Sequence, residues 1–76
     1  MATTKTAADI ANELNAIGYE YYGETAKAWS GNGFCRIYFG ADFVTIKNGQ
    51  VSNSKAGKSR AVTIGESAVE AVLSVI

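Results

Sequence analysis

Apolar positions change their spacing along this chain, and each change marks an element. Ala7, Ile10, Leu14 and Ile17 recur at intervals of three, four and three, which is one face of a helix. Thr6 and Asp9 fit a capping box at its start, and Gly18 supplies a left-handed stop. The pattern predicts a helix over about residues 6–17. Tyr19, Tyr21 and Tyr22 favour a strand, but Gly23 and the small residues after it weaken that pattern. A strand bulged at Gly23, or a loop followed by a strand at about 25–30, fits equally well.

From Trp29 onward the spacing becomes two. Asn32-Gly33 and Asn48-Gly49 are both type I′ hairpin signals, because Asn and Gly tolerate positive φ. The first turn sets Trp29 opposite Arg36 and Lys27 opposite Tyr38. The second sets Lys47 opposite Gln50 and Ile46 opposite Val51. Gly40-Ala41-Asp42 must join the two middle strands; with Phe39 opposite Val44, Ile37 falls opposite Ile46. Alternation then sorts Ala28, Cys35, Ile37, Phe39, Val44, Ile46 and Val51 onto one face. Lys27, Trp29, Phe34, Arg36, Tyr38, Thr45, Lys47 and Gln50 fall on the other. A one-residue slip in any turn would mix the two sets.

Alternation fades after Val51. Residues 52–60 are small, polar and basic, and read as a loop after a short fourth strand. Ala61 to Ile64 reads as a further strand or as the entry to a last helix over about 66–76. Ser67 and Glu70 fit a capping box there, Thr63 and Glu66 an earlier one, and Val69, Val72, Leu73 and Ile76 form its apolar stripe. The expected fold is α+β. A single domain over residues 1–76 carries an antiparallel meander of three or four strands, with the N- and C-terminal helices packed on one sheet face.

Composition narrows what such a domain does. The chain has 76 residues, 47% of them hydrophobic and 18% charged, with seven basic and seven acidic side chains. That is a globular composition. A domain of this size buries only roughly 60% of the surface its unfolded chain exposes, so a separate catalytic pocket is hard to add. There is no apolar run long enough to span a membrane, and residues 1–12 lack the pattern of a secretory leader. One cysteine, Cys35, fits a reducing, cytoplasmic setting. With no His and no CxxC, no metal site or cofactor is expected. Catalysis is not expected either, since no nucleophile has a base beside it and Cys35 points toward the core.

Zero net charge conceals an uneven distribution. Residues 1–33 carry Lys5 and Lys27 against Asp9, Glu13, Glu20 and Glu24. Residues 34–65 carry Arg36, Lys47, Lys55, Lys58 and Arg60 against Asp42, while Glu66 and Glu70 close the chain. The basic middle can steer an anionic partner. The outward sheet face is the sharper feature. Lys27, Trp29, Phe34, Arg36, Tyr38 and Lys47 form a candidate partner-binding set, since Trp, Tyr and Arg dominate binding hot spots. The competing reading is cross-strand pairing that only stabilises the sheet, or a helix on each face. Lys55, Lys58 and Arg60 form a candidate anion or nucleic-acid site. Ala56-Gly57-Lys58-Ser59 matches the end of a phosphate-binding loop, but Ser52 stands where that motif needs Gly.

The α-β-β-β-α order, with Lys55, Lys58 and Arg60 ahead of the last helix, resembles the double-stranded-RNA-binding domain. Glu66-Ser67 stands where that family places a lysine pair. Aromatics on a sheet resemble the RNA-recognition motif, whose strand order and signature are absent. The expected function is therefore non-enzymatic binding of a macromolecule, most simply a protein or a second copy of the chain. An adaptor or inhibitor is the type expected, on the scale of phage anti-defence proteins. Nucleic-acid binding through loop 52–60 and the aromatic face is the alternative.

Overall fold

Thr6 opens the first helix as expected. Its side chain accepts from the Asp9 amide at 3.1 Å, and the Asp9 carboxylate accepts from the Thr6 amide at 3.2 Å. This helix, α1, spans Ala7–Ala16. It closes as a Schellman turn. Gly18 takes φ +74°, its amide reaches Asn15 O, and the Tyr19 amide reaches Leu14 O. The computed structural model describes residues 6–76. Residues 1–5, on which the leader reading partly rests, lie outside the described residues.

Five strands follow: β1 (Ala26–Ser30), β2 (Phe34–Phe39), β3 (Asp42–Lys47), β4 (Gln50–Asn53) and β5 (Lys58–Ala61). They form one antiparallel sheet in sequence order. A second helix, α2 (Ala68–Ser74), ends the chain, with Ser67 accepting from the Glu70 amide. The α+β class and the meander hold, with one strand more than the three or four expected. Residues 52–60 are not a loop, because β4 and β5 flank a tight turn at 54–57. The sequence hides β5 because Lys58–Ala61 is an edge strand with no fully buried side chain, so no apolar alternation marks it.

The turns refine the expected register. Asn48 and Gly49 both take positive φ, the I′ geometry. At Asn32-Gly33 only Gly33 does, so that turn is not I′, yet Trp29 still pairs with Arg36 and Lys27 with Tyr38. The middle turn has two residues and not the longer connection expected. Gly40 at φ +66° supplies the first central position of a II′ turn, so Phe39 pairs with Asp42, Ile37 with Val44 and Cys35 with Ile46. This differs from the expected register by two residues, and a shift of two leaves every side chain on its face. Of the two readings of the tyrosine segment, the loop followed by a strand at about 25–30 holds, and the strand bulged at Gly23 does not. A tight turn joins Tyr21 to Glu24, with Tyr22 and Gly23 both at positive φ, before β1 begins at Ala26.

Both helices lie on one side of the sheet, α1 over β1 and β2 and α2 over β4. The core joins Ile10 and Leu14 of α1 to Ile37, Phe39, Val44 and Val51 of the sheet and to Val72 and Val75 at the end of α2. Tyr19 and Tyr21 close over Phe39, edge to face, at 5.9 and 5.5 Å between centroids. Two expected core positions shift. Ile17 caps α1 and is 65% exposed, with Ala11 completing the buried stripe in its place. Ala28 sits near the open edge and is exposed.

Asn53 is the buried polar residue of this core. Its side-chain nitrogen donates to Val75 O at 3.0 Å and to the Tyr21 hydroxyl at 3.4 Å. Its oxygen accepts from the Lys55 and Ala56 amides at 3.1 and 3.3 Å. Replacing it with the similar-sized Asn53→Leu removes all four bonds and strands Val75 O in the core. Chemical denaturation should show a loss of about 2–4 kcal/mol. A loss under about 0.5 kcal/mol would mean that the amide is not a structural tie.

Candidate binding face

Among the described residues, no element covers the side of the sheet away from the helices. Alternation brings Lys27 and Trp29 of β1, Phe34, Arg36 and Tyr38 of β2, and Phe43, Thr45 and Lys47 of β3 to this side. Gln50 and Ser52 of β4 continue it. All six residues expected in the partner-binding set therefore share one face. Phe43 belongs with them and was not singled out from the sequence. Its signal was available, because it alternates with the inward Val44.

Arg36 is the centre of this face. Its guanidinium carbon lies 4.3 Å from the Phe43 ring centroid, 5.3 Å from Phe34 and 5.7 Å from Trp29. One terminal nitrogen donates to the Tyr38 hydroxyl at 3.1 Å. Nε is buried without a hydrogen-bond acceptor among the described residues. No carboxylate pairs with Arg36 among the described residues, so ring faces stand in for a counter-ion. Trp29 packs on Phe34 at 5.3 Å and Tyr38 on Phe43 at 5.3 Å. Lys47 lies 5.9 Å from the Phe34 centroid. Beside these rings, Thr45, Lys47, Asn48, Gln50 and Ser52 line a shallow polar depression of about 350 Å³. The outward strand positions include three cations and no acidic residue.

The second expected set is placed differently. Lys58 and Arg60 pair with Asn53 and Val51, so they have the parity of the helix side, away from the aromatic face. Arg60 is fully engaged. It forms a bidentate pair with Glu66, and its Nε donates to the Ser74 hydroxyl at 2.7 Å. Lys55 sits 3.4 Å from the Asp42 carboxylate and 4.9 Å from the Tyr22 ring centroid. The aromatic face and the basic stretch thus lie apart, and two of the three cations of the basic stretch are already paired. Cys35 is half-buried on the helix side, where burial pushes its thiol up and away from nucleophilic chemistry. Among the described residues, no three metal-ligating side chains cluster and no helix is long and apolar enough to cross a membrane.

No family model matches the chain, and neither the curated proteins nor the solved structures include a significant match.

Two tests follow from these contacts. A Cβ added at Gly31 would lie 2.5 Å from the Trp29 ring, and Gly31 has no positive φ to forbid alanine. Gly31→Ala should therefore keep the fold and swing the indole aside. Trp29 is the sole tryptophan, so its emission maximum reads this directly, and an unchanged spectrum would place the ring elsewhere. The Arg60 guanidinium, with help from the Thr63 amide, holds the Glu66 carboxyl below the usual glutamate range. A depressed folded value means that the pair stabilises the fold above the unfolded glutamate value. That stabilisation is lost as pH falls through the folded value. Glu66→Gln should flatten the melting temperature over roughly pH 5 to 3 relative to the parent chain. Parallel pH profiles for the two chains would show the pair to be irrelevant.

Proposed function

We propose that this chain is a non-enzymatic binding protein, of adaptor or inhibitor type, that engages a partner protein through the face centred on Arg36. The observation that carries the reading is the set of Trp29, Phe34, Tyr38 and Phe43 around an arginine with no carboxylate partner, on a sheet side that none of the described residues covers. A monomer has little need to place four large rings there, whereas an anchor cluster at the centre of an interface has this composition. Trp29, on the edge strand beside Arg36, stays 43% exposed.

A protein partner has more support than a nucleic acid, although both suit a cationic face. Base stacking needs a free ring face, and Arg36 already lies against Phe34 and Phe43. Phosphate tracking needs a run of unpaired cations, and Lys55 and Arg60 have carboxylate partners on other parts of the molecule. The three cations at outward strand positions, Lys27, Arg36 and Lys47, have no carboxylate partner among the described residues and suit scattered carboxylates on a protein surface.

The test is paired. The parent chain, Trp29→Ala and Arg36→Ala are used as baits, and affinity for the captured partner is measured beside the melting temperature. Each substitution should weaken binding by about 1–4 kcal/mol while costing the fold less than a core truncation would. Capture that is indifferent to both variants would remove this face from the function. Tight oligonucleotide binding that falls steeply with salt would replace the partner protein with a nucleic acid.

A further inference from the structure

The two edges of the sheet differ, and the difference selects an occupant for one of them. The Gly31 amide bonds to Phe34 O at 2.9 Å, which fixes the hydrogen-bond alternation along β1. Residues 27 and 29 exchange bonds with β2, while Ala26, Ala28 and Ser30 turn their backbone groups to the open edge. Asn15 of α1 covers the first of these. Its amide donates to Ala26 O at 3.0 Å and accepts from the Ala26 amide at 3.1 Å. Ala28 and Ser30 have no such cover among the described residues. At the other edge, Arg60 reaches over to bond Ala61 O at 2.9 Å, and Lys58 and Arg60 charge the strand. Charged and covered edges resist strand addition, and open ones template it.

We infer that the open stretch of β1 pairs with the same stretch of a second copy of this chain, forming a closed two-fold dimer. The register follows from the cover on Ala26. A two-fold axis perpendicular to the sheet makes the pairing antiparallel. Centring it on Ala28 would require the Ala26 groups that Asn15 occupies. Centring it on Ser30 would leave only one hydrogen-bonded pair. Centring it on Trp29 sets Ala28 opposite the partner copy's Ser30, and Ser30 opposite its Ala28. Four backbone bonds form, and all four free groups of each strand are used. The two Trp29 side chains then stand directly opposite each other on the uncovered face, in the closer, non-hydrogen-bonded type of pair.

Three further observations favour a second copy as the occupant. The chain has zero net charge, so copies do not repel at a distance. Lys27 falls opposite the partner copy's Gly31, which sets no like charges together. The guarded β5 edge disfavours head-to-tail stacking of β1 on β5, so association closes at two copies and does not run on into fibres. The dimer would join two aromatic faces into one surface, and it stands independently of what that surface binds.

Sedimentation equilibrium from about 5 to 500 µM, a span that covers weak micromolar association, reads the dimer. The mass should rise with concentration toward twice 8.0 kDa. Ala28→Pro removes one edge donor from each strand at a position where an edge strand tolerates proline, and should weaken the dimer about 30-fold. A mass of 8.0 kDa throughout would overturn the proposal, as would a dimer indifferent to Ala28→Pro. Should that variant fail to fold, the register is read by cysteine pairing in a Cys35→Ser background. Trp29→Cys should cross-link rapidly on oxidation, because a non-hydrogen-bonded pair brings the two Cα atoms within disulfide reach. Lys27→Cys should cross-link at least about tenfold more slowly, because its copies stand four residues out of register. Equal rates, or no cross-link at residue 29, would rule out the pairing.

Discussion

The Asn53 amide is the point at which the separate parts of this molecule are tied. One side chain bonds the carbonyl that caps α2, the Tyr21 hydroxyl and both amides that start the β4–β5 turn. The turn is what allows β5 to form, and β5 carries the Arg60 that clasps Glu66 and Ser74 on the α2 side. Helix placement, turn geometry and the last strand therefore share one polar residue with both its donor and acceptor capacity in use. A short helix such as α2, seven residues long, gains little from propensity alone and depends on contacts of this kind.

The sheet then divides the chemistry of the chain. On the helix side lie the apolar core and the carboxylates of both helices, with Arg60 and Lys55 each held by one acid. On the other side the charges are all positive, and Arg36 is held by rings and a hydroxyl. Period-two alternation makes this sorting automatic, since adjacent residues in a strand take opposite environments. Cys35 and Arg36 are neighbours in sequence, yet one faces the core and the other the rings.

Much of this was legible in the sequence, for a physical reason. The Asn-Gly turns fix the register of their hairpins, and alternation fixes faces even where register slips by two, so the uncovered face is legible although the Gly40 turn is two residues shorter than the spacing suggests. The strands that carry apolar alternation were found, while β5, made of Lys58, Ser59, Arg60 and Ala61, could not be, since its place depends on pairing with β4. The role of Asn53 was hidden for the same reason. Nothing local distinguishes a buried asparagine from a turn residue among Ser52, Ser54 and Lys55. Phe43 was missed at a strand start, where alternation has only one direction in which to be counted. Ile17 misled because its spacing is helical, although Gly18 ends the helix beneath it.

Strand order along the sheet equals strand order along the chain. Every strand pair therefore closes over a short turn, and the main distant contacts are those that the two terminal helices make with each other and with the sheet. Chains whose contacts are local in sequence cross their folding barrier quickly, because little loop entropy must be surrendered before contacts form. The meander can assemble hairpin by hairpin as it leaves the ribosome. Asn53 finds Val75 only once α2 is in place, so this core hydrogen bond waits on the segment that follows the meander.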